Sequence, residues 1–136
     1  MRLTTAAACA LILHWFNVLS GATLLFTSAV APAAAQQVDL NAIQRRYHQS
    51  YAAGDYATAL AEALKLEAGA KVRFGASDAN YASALYNLAI AYDALGRYAQ
   101  AEQHYKEALA IEEKVFGPGN RKIVRIINNL AIVNMH

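Results

Sequence analysis

Apolar residues recur every three or four positions along most of the chain, and this is the period of one face of an α-helix. Between residues 98 and 116 the apolar stripe comprises Tyr98, Ala101, Tyr105, Ala108, Leu109, Val115 and Phe116. The strict alternation of apolar and polar residues that marks a half-buried strand is rare. The pattern therefore predicts an all-α fold with helices at about 40–53, 56–73, 79–95, 98–116 and 121–135.

Two kinds of break separate the predicted helices. Gly54 and Gly96 each stand between two helical stretches, where a left-handed glycine ends one helix and begins a tight turn. Longer breaks occur at 75–78 (GASD) and 117–120 (GPGN), and each ends in an Asp or Asn that is suited to cap the next helix. The chain is therefore expected to run helix, short turn, helix, longer loop, and then to repeat.

The chain resembles itself at an offset of 42 residues. The matching pairs are Gly54/Gly96, Tyr56/Tyr98, Ala59/Ala101, Phe74/Phe116, Gly75/Gly117, Asn87/Asn129, Leu88/Leu130 and Ala89/Ala131. Self-similarity at such a period is typical of stacked helical repeats, which serve as binding surfaces more often than as catalysts. The repeat thus indicates a class of function without naming a partner.

The segment LYNLAIAYDALGRYAQAEQHYKEALAIEEKVFG, which begins at residue 85, resembles a tetratricopeptide repeat of the 42-residue kinesin-light-chain form. The matching positions are Leu88, Ala89, Tyr92, Gly96, Ala101, Tyr105 and Ala108. The resemblance covers about residues 43–136. It implies a solenoid of helix–turn–helix units with about two and a half repeats, at about 37–78, 79–120 and an incomplete 121–136. The first repeat departs from the pattern, since Arg46 and Tyr47 replace the Leu–small pair, and the third has Asn134 at the aromatic position.

In that family the first helix of each repeat lines a concave groove that binds extended peptides, and asparagines of the groove hydrogen-bond the peptide backbone. The resemblance assigns this role to Asn87 and Asn129. Neighbours on the same helix face would be Ser83, Tyr86 and Ile90 in the second repeat and Arg125, Asn128 and Ile132 in the third. The expected function is a non-catalytic scaffold for a peptide or a partner helix. The competing interpretation is that these asparagines are solvated or bond neighbouring helices.

The N-terminal segment has a different character from the rest. Residues 3–38 contain no Asp, Glu, Lys or Arg, and the apolar stretch ends in Ala33-Ala34-Ala35. This pattern predicts a signal peptide at 1–35, cleaved after Ala35, and export of residues 36–136 to the periplasm or the medium. The alternative is an uncleaved anchor in the inner membrane. Cys9 lies ahead of the apolar core, too early for a lipoprotein anchor.

Charge and candidate chemistry narrow the function further. The formal net charge of the whole chain is +2 and no basic stripe occurs, which argues against nucleic-acid binding. His48, His104 and His136 lack the spacing of metal ligands, so neither a metal nor a cofactor is expected. Glu112 and Glu113 are adjacent on a predicted helix and are expected on a solvated face rather than in an acid–base pair. No motif supports an enzyme.

The last predicted helix leaves two other functions open. Its apolar face comprises Ile123, Ile126, Ile127, Leu130 and Val133, and no second helix of that repeat follows in the sequence to cover it. This face predicts either a self-assembling structural element that packs on a copy of itself or a fragment of a longer array.

Overall fold

Five helices follow one another in the computed structural model, which describes residues 38–136. They are α1 (Leu40–Ala52), α2 (Tyr56–Phe74), α3 (Ala79–Ala94), α4 (Tyr98–Phe116) and α5 (Arg121–Val133). The predicted helices are confirmed, with ends that agree to within two residues. Each helix packs against the next in the chain, as expected of stacked helix–turn–helix units. The predicted signal peptide lies outside the described residues.

The short turns between paired helices depend on glycine. Gly54 has a φ of 77° and Gly96 a φ of 70°, in the left-handed region that a side chain rarely adopts. A methyl group at either position would meet no atom within 4 Å, so the backbone angle and not the space requires glycine. This turn reverses the chain and lays α2 against α1 and α4 against α3.

The predicted helix caps are also present. The Asp78 carboxylate accepts a hydrogen bond from the backbone N–H of Asn80 at 2.7 Å, and the Asn120 side chain accepts one from that of Lys122 at 2.9 Å. Such caps satisfy N–H groups that lack a partner within the helix, and each stabilises its helix by about 1 kcal/mol. The two longer loops therefore fix where α3 and α5 begin.

Small side chains allow the helices to approach closely, and tyrosines fill the remaining space. Ala82, Ala89, Ala101 and Ala108 are fully buried between α3 and its neighbours, together with Tyr105. Interiors packed to this density lose stability when a side chain is made either larger or smaller. The spacing of Ala and Tyr along α3 and α4 therefore holds the two helices in one register.

The first repeat also pairs a tyrosine with an alanine between its two helices, but the large and the small side chain have exchanged helices. Tyr47 on α1 stands where α3 has Ala89, and Ala63 on α2 stands where α4 has Tyr105. Tyr47 and Ala63 share one buried cluster, and Ala89 and Tyr105 share the other. Each repeat therefore buries one tyrosine and one alanine at these positions, but on opposite helices. The departure at Tyr47 thus has a compensating change on the helix that follows.

Arg46, the other departure in the first repeat, stays at the surface. Its Nε donates a hydrogen bond to Glu62 Oε2 at 2.9 Å, and Lys65 Nζ donates to Oε1 of the same carboxylate at 2.7 Å. Glu62 is buried on α2 between Ala59 and Leu66, so both oxygens of a buried carboxylate are paired.

No helix within residues 38–136 combines the length and the apolar character needed to cross a membrane.

Candidate functional site

The first helices of the three repeats, α1, α3 and α5, line two neighbouring cavities. The α1–α3 cavity has a volume of about 290 Å³, and the α3–α5 cavity has a volume of about 220 Å³. Gln44, Ser83 and Asn87 line both of them. We call this continuous surface the groove. Two of these helices, α3 and α5, carry the residues to which the family resemblance assigns peptide binding.

The two cavities are related by the 42-residue repeat. Six residues of the α1–α3 cavity have their repeat equivalents in the α3–α5 cavity, and the pairs are Asn41/Ser83, Gln44/Tyr86, Ala70/Glu112, Asn80/Lys122, Ser83/Arg125 and Ala84/Ile126. The two cavities are thus lined from the same positions of the repeat, but by side chains of different charge and polarity. At these six positions the first cavity is uncharged, and the second carries one carboxylate and two cations. The same six repeat positions therefore line two cavities that differ in charge.

Asn87 occupies the boundary between the cavities. Its backbone carbonyl accepts a hydrogen bond from the Tyr47 hydroxyl at 3.1 Å, which ties α3 to α1 at this point. Its carboxamide is half-buried and makes no hydrogen bond to any residue of 38–136. A carboxamide offers two N–H donors and one carbonyl acceptor, so it matches a peptide backbone, which presents both kinds of group. The donors and the acceptor of the Asn87 carboxamide are therefore not used by any residue of 38–136.

Asn129, the repeat equivalent of Asn87, is arranged differently. Its Nδ2 donates to the hydroxyl of Tyr86 at 3.1 Å and to that of Tyr105 at 3.2 Å. Both amide hydrogens are thereby used inside the protein, and only the carbonyl oxygen is left for a ligand. Burial raises the pKa of Tyr105 well above its ordinary value, so this hydroxyl stays protonated at neutral pH. Asn129 thus acts first as a link between α5, α3 and α4.

Tyr86 and Arg125 form a stacked pair at the mouth of the α3–α5 cavity. The guanidinium carbon of Arg125 lies 5.2 Å from the centre of the Tyr86 ring, and an N–H of the same group donates to the Tyr86 hydroxyl at 3.3 Å. Stacking of this kind restricts a long side chain that otherwise samples many rotamers. The remaining guanidinium donors of Arg125 are therefore presented in a partly ordered orientation.

Ser83, Lys122 and Glu112 form a polar chain along one wall of the α3–α5 cavity. Lys122 Nζ donates to Glu112 Oε1 at 3.2 Å and to Ser83 Oγ at 3.3 Å. Ser83 Oγ in turn donates to the backbone carbonyl of Ala79 at 2.9 Å. The chain connects α3, α4 and α5, and it places the Lys122 ammonium over a carboxylate that is almost completely enclosed.

The burial of Glu112 corrects the sequence prediction of a solvated face. Its side chain is 2% exposed, and no residue within 38–136 provides a hydrogen bond to Oε2. The reason is register, because Glu112 continues the buried stripe formed by Ala101, Tyr105 and Ala108 on α4. Glu113 is exposed, as predicted. The spacing along α4 was the signal that would have identified Glu112 as buried.

Four of the predicted groove residues line neither cavity, and one of them is Asn129, whose amide is bound to Tyr86 and Tyr105. Ile90 is half-buried against the core between α3 and its neighbours, Asn128 is exposed, and Ile132 is 48% exposed. The structure instead brings Gln44, His48 and Lys122 to the site, which sequence reasoning had not selected. The repeat offset would have found Gln44 and His48, since they are the equivalents of the predicted residues Tyr86 and Ile90. No cluster of three metal-binding side chains occurs in the described part of the chain.

Comparison with known families agrees with this architecture. Residues 82–121, which run from α3 to the start of α5, match the family model of the tetratricopeptide repeat, and the repeat is of the kinesin-light-chain type. A search of the curated proteins found no match. Tetratricopeptide repeats generally mediate protein–protein interactions, and they are typically non-catalytic.

Proposed function

We propose, from the tetratricopeptide repeat at residues 82–121, that the groove binds an extended segment of a partner protein. The observation that carries this proposal is the carboxamide of Asn87, which lies between two repeat-related cavities and makes no hydrogen bond within residues 38–136. A donor and an acceptor on one rigid helix suit the N–H and C=O of an extended backbone. The protein is then a scaffold and performs no chemistry on its partner.

The two cavities would bind different side chains of that segment. The α1–α3 cavity presents the amides of Asn41, Gln44 and Asn80 together with Arg73, and this lining suits a polar side chain that accepts hydrogen bonds. The α3–α5 cavity presents the cations of Lys122 and Arg125. Lys122 is already paired with Glu112, so Arg125 provides the free hydrogen-bond donors there. The selected segment is therefore expected to carry hydrogen-bond acceptors at the end that meets α5.

A selection experiment tests the groove without knowledge of the natural partner. The full chain is used to select binders from a library of displayed random twelve-residue peptides, and the selected peptides are measured against substituted chains. Asn87→Ala is expected to lower the affinity of the chain for the selected peptides at least tenfold, which corresponds to a loss of about 1.4 kcal/mol in binding free energy. Gln103→Ala removes an exposed carboxamide from α4, outside the groove, and is the matched control.

Equal affinities for the Asn87→Ala chain and the unsubstituted chain would contradict the groove proposal. Asn129→Ala is also expected to weaken binding, but for a structural reason, since it removes the links to Tyr86 and Tyr105. This substitution should therefore lower the thermal midpoint, whereas Asn87→Ala should leave it almost unchanged. The two asparagines can thus be separated by a melting curve.

We further propose that the chain is exported, either with removal of residues 1–35 or with this segment retained as an inner-membrane anchor. The support is the run of residues 3–38 without an Asp, Glu, Lys or Arg, and the Ala33-Ala34-Ala35 sequence that precedes Gln36. Mass spectrometry of the protein recovered from the native host tests this proposal. A mature N-terminus at Gln36 supports cleavage, an intact N-terminus in the membrane fraction supports the anchor, and intact protein in the cytoplasm contradicts export.

A further inference from the structure

The Glu112 carboxylate has one oxygen that no described residue uses. Its Oε1 accepts a hydrogen bond from Lys122 Nζ at 3.2 Å, whereas no residue within 38–136 donates to Oε2. The side chain is 2% exposed, so this acceptor is enclosed by protein on nearly every side. A buried acceptor without a hydrogen bond destabilises the state that contains it. A bound group that donates to Oε2 therefore recovers free energy on binding.

The location of Glu112 distinguishes it from Glu62, the other buried carboxylate of residues 38–136. Both oxygens of Glu62 are paired, one with Arg46 and one with Lys65, and Glu62 lines neither cavity. Glu112 lines the α3–α5 cavity, which has a volume of about 220 Å³. A single water takes up about 30 Å³, so this cavity is large enough for a polar side chain. The carboxylate that lacks a partner is thus the one that stands at a cavity.

The rest of the α3–α5 cavity provides hydrogen-bond donors. Arg125 uses one N–H on the Tyr86 hydroxyl, and the rest of its five N–H groups bond no residue of 38–136. Asn87 lines the same cavity with a carboxamide that is likewise unused. The cavity therefore presents one enclosed acceptor, Glu112 Oε2, and several donors around a single small volume.

These groups favour an uncharged ligand that both donates and accepts hydrogen bonds. A carboxylate has no hydrogen to donate to Glu112 and is repelled by its charge, and an ammonium group is repelled by Lys122, which already pairs with Glu112. An apolar group leaves Oε2 without a hydrogen bond. A carboxamide carries its donors and its acceptor on separate atoms, so it can contact Glu112 on one side and Arg125 on the other.

We propose that the α3–α5 cavity recognises the side-chain carboxamide of a Gln or Asn in the bound segment, with an N–H that donates to Glu112 Oε2 and a carbonyl oxygen that accepts from Arg125. This inference rests on the function proposed for the groove, and it adds the identity of one side chain that the segment carries. Lys122 is 48% exposed, so its side chain moves outward into solvent as the carboxamide enters. The Asn87 carboxamide stays available for the backbone of the segment.

Peptides selected on the full chain from the library of random twelve-residue peptides give the first test. Among the peptides whose binding depends on Asn87, Gln or Asn is expected to be enriched at one position. Replacement of that residue by Leu, and separately by Glu, is expected to weaken binding at least about tenfold, because neither side chain donates a hydrogen bond to Oε2.

The reciprocal change is made in the protein. Glu112→Ala with Lys122→Met removes both charges of the ion pair at the cavity. This chain is expected to select peptides that still depend on Asn87 but carry apolar residues where Gln or Asn stood. Glu102→Ala with Lys106→Met removes an exposed ion pair from α4 and is the matched control, which should keep the preference for Gln or Asn. Far-ultraviolet circular dichroism checks that both variants keep their helices.

Propionamide tests the cavity without a peptide, since it carries the carboxamide of Gln on a short apolar stem. When it is titrated into the isotope-labelled full chain, it is expected to shift the backbone amide NMR signals of Tyr86 and Lys122. The signals of Asn41 and Asn80, which line only the α1–α3 cavity, should shift less. Absence of a shift at Tyr86 and Lys122, or equal shifts with propionate at the same concentration, would overturn the inference.

The selection outcomes separate this inference from the groove itself. Absence of any peptide that depends on Asn87 would contradict the groove proposal and this inference with it. Asn87-dependent peptides without a preference for Gln or Asn would overturn this inference and leave the groove proposal standing. The same preference in the chain that carries Glu112→Ala and Lys122→Met would also overturn it, because Oε2 is then no longer present.

Discussion

The hydroxyl of Tyr47 donates a hydrogen bond to the backbone carbonyl of Asn87, 3.1 Å away and 40 residues later in the chain. Tyr47 belongs to the first repeat, and Asn87 lies on the groove surface of the second. The bond therefore couples the packing of one repeat to the position of the proposed recognition residue of the next. The carbonyl of Asn87 also belongs to the hydrogen-bond ladder of α3, so this contact is made without opening the helix.

Tyr47→Phe should lower the free energy of unfolding by about 1 kcal/mol, because it removes this one hydrogen bond and keeps the ring. Tyr56→Phe is the matched control, since no hydrogen bond of the Tyr56 hydroxyl occurs within residues 38–136. Urea unfolding of both variants measures the difference. If the two substitutions have equal effects, the bond between Tyr47 and Asn87 contributes nothing to stability.

The exchange of tyrosine and alanine between repeats predicts a compensating pair of substitutions. Tyr47→Ala should destabilise the protein by about 3 kcal/mol by leaving a cavity, and Ala63→Tyr by about 2 kcal/mol by overpacking the site. The double variant recreates the arrangement of the second repeat and should lose at least about 1 kcal/mol less than the sum of the single changes. Strictly additive losses in urea unfolding would show that Tyr47 and Ala63 do not fill one shared space.

The ion pair between the buried Glu112 and the half-exposed Lys122 predicts an asymmetric response to mutation. Lys122→Met leaves a buried carboxylate without its cation and should cost about 2 kcal/mol, less than a fully buried pair because Lys122 is half-exposed. Lys122→Met with Glu112→Ala should recover most of this loss, since the first repeat already has Ala70 at the position of Glu112.

Lys106→Met is the control for the loss of a lysine that pairs on an exposed surface, with Glu102. It should change the free energy of unfolding by less than about 0.5 kcal/mol. A loss for Lys122→Met no greater than for Lys106→Met, measured by urea unfolding at pH 7, would argue against an energetically buried carboxylate at Glu112.

Glu62 predicts a dependence of stability on acid pH. The hydrogen bond from the Lys65 ammonium, helped by Arg46, holds the pKa of the Glu62 carboxyl below its ordinary value. A carboxyl with a lowered pKa in the folded state stabilises the protein fully above its unfolded pKa, near 4.5, and loses that contribution as the pH falls through the folded pKa. Glu62→Gln should therefore be less stable than the unsubstituted chain at pH 7, and the two should converge in acid.

Thermal unfolding from pH 7 to pH 3 measures this convergence. Glu102→Gln, which removes an exposed carboxylate paired with Lys106, is the control and should produce a much smaller difference at every pH. A gap between the Glu62→Gln variant and the unsubstituted chain that stays constant down to pH 3 would exclude ionised Glu62 as its cause.

The helices and their boundaries could be predicted from sequence because local chemistry determines them. Gly54 and Gly96 require positive φ angles, Asp78 and Asn120 cap the helices that follow, and the apolar stripe has a single period. Each of these signals lies within a few residues of the feature it specifies. The prediction of five helices was therefore accurate without any knowledge of how they pack.

The details of the site depend on contacts that sequence spacing does not specify. Asn87 and Asn129 are equivalent in the repeat, but the two amide hydrogens of Asn129 are taken by Tyr86 and Tyr105 on other helices. Glu112 was expected on a solvated face; its spacing along α4 indicates its burial, but nothing in that spacing indicates its ion pair with Lys122. In both cases the outcome depends on the identity of residues 10 to 43 positions away. The residues that line the groove could therefore be identified only from the packed structure.

The opposite placement of tyrosine and alanine in the two repeats limits how such a protein can be rearranged. A recombination that joined the first helix of the first repeat to the second helix of the next would place Tyr47 against Tyr105, and the reverse joint would place Ala89 against Ala63. The first product would be overpacked between the two helices, because two tyrosines would occupy the space of one, and the second would contain a cavity there. Genetic exchange or design that treats these helices as single modules will therefore fail, whereas exchange of complete helix pairs preserves the complementary volumes.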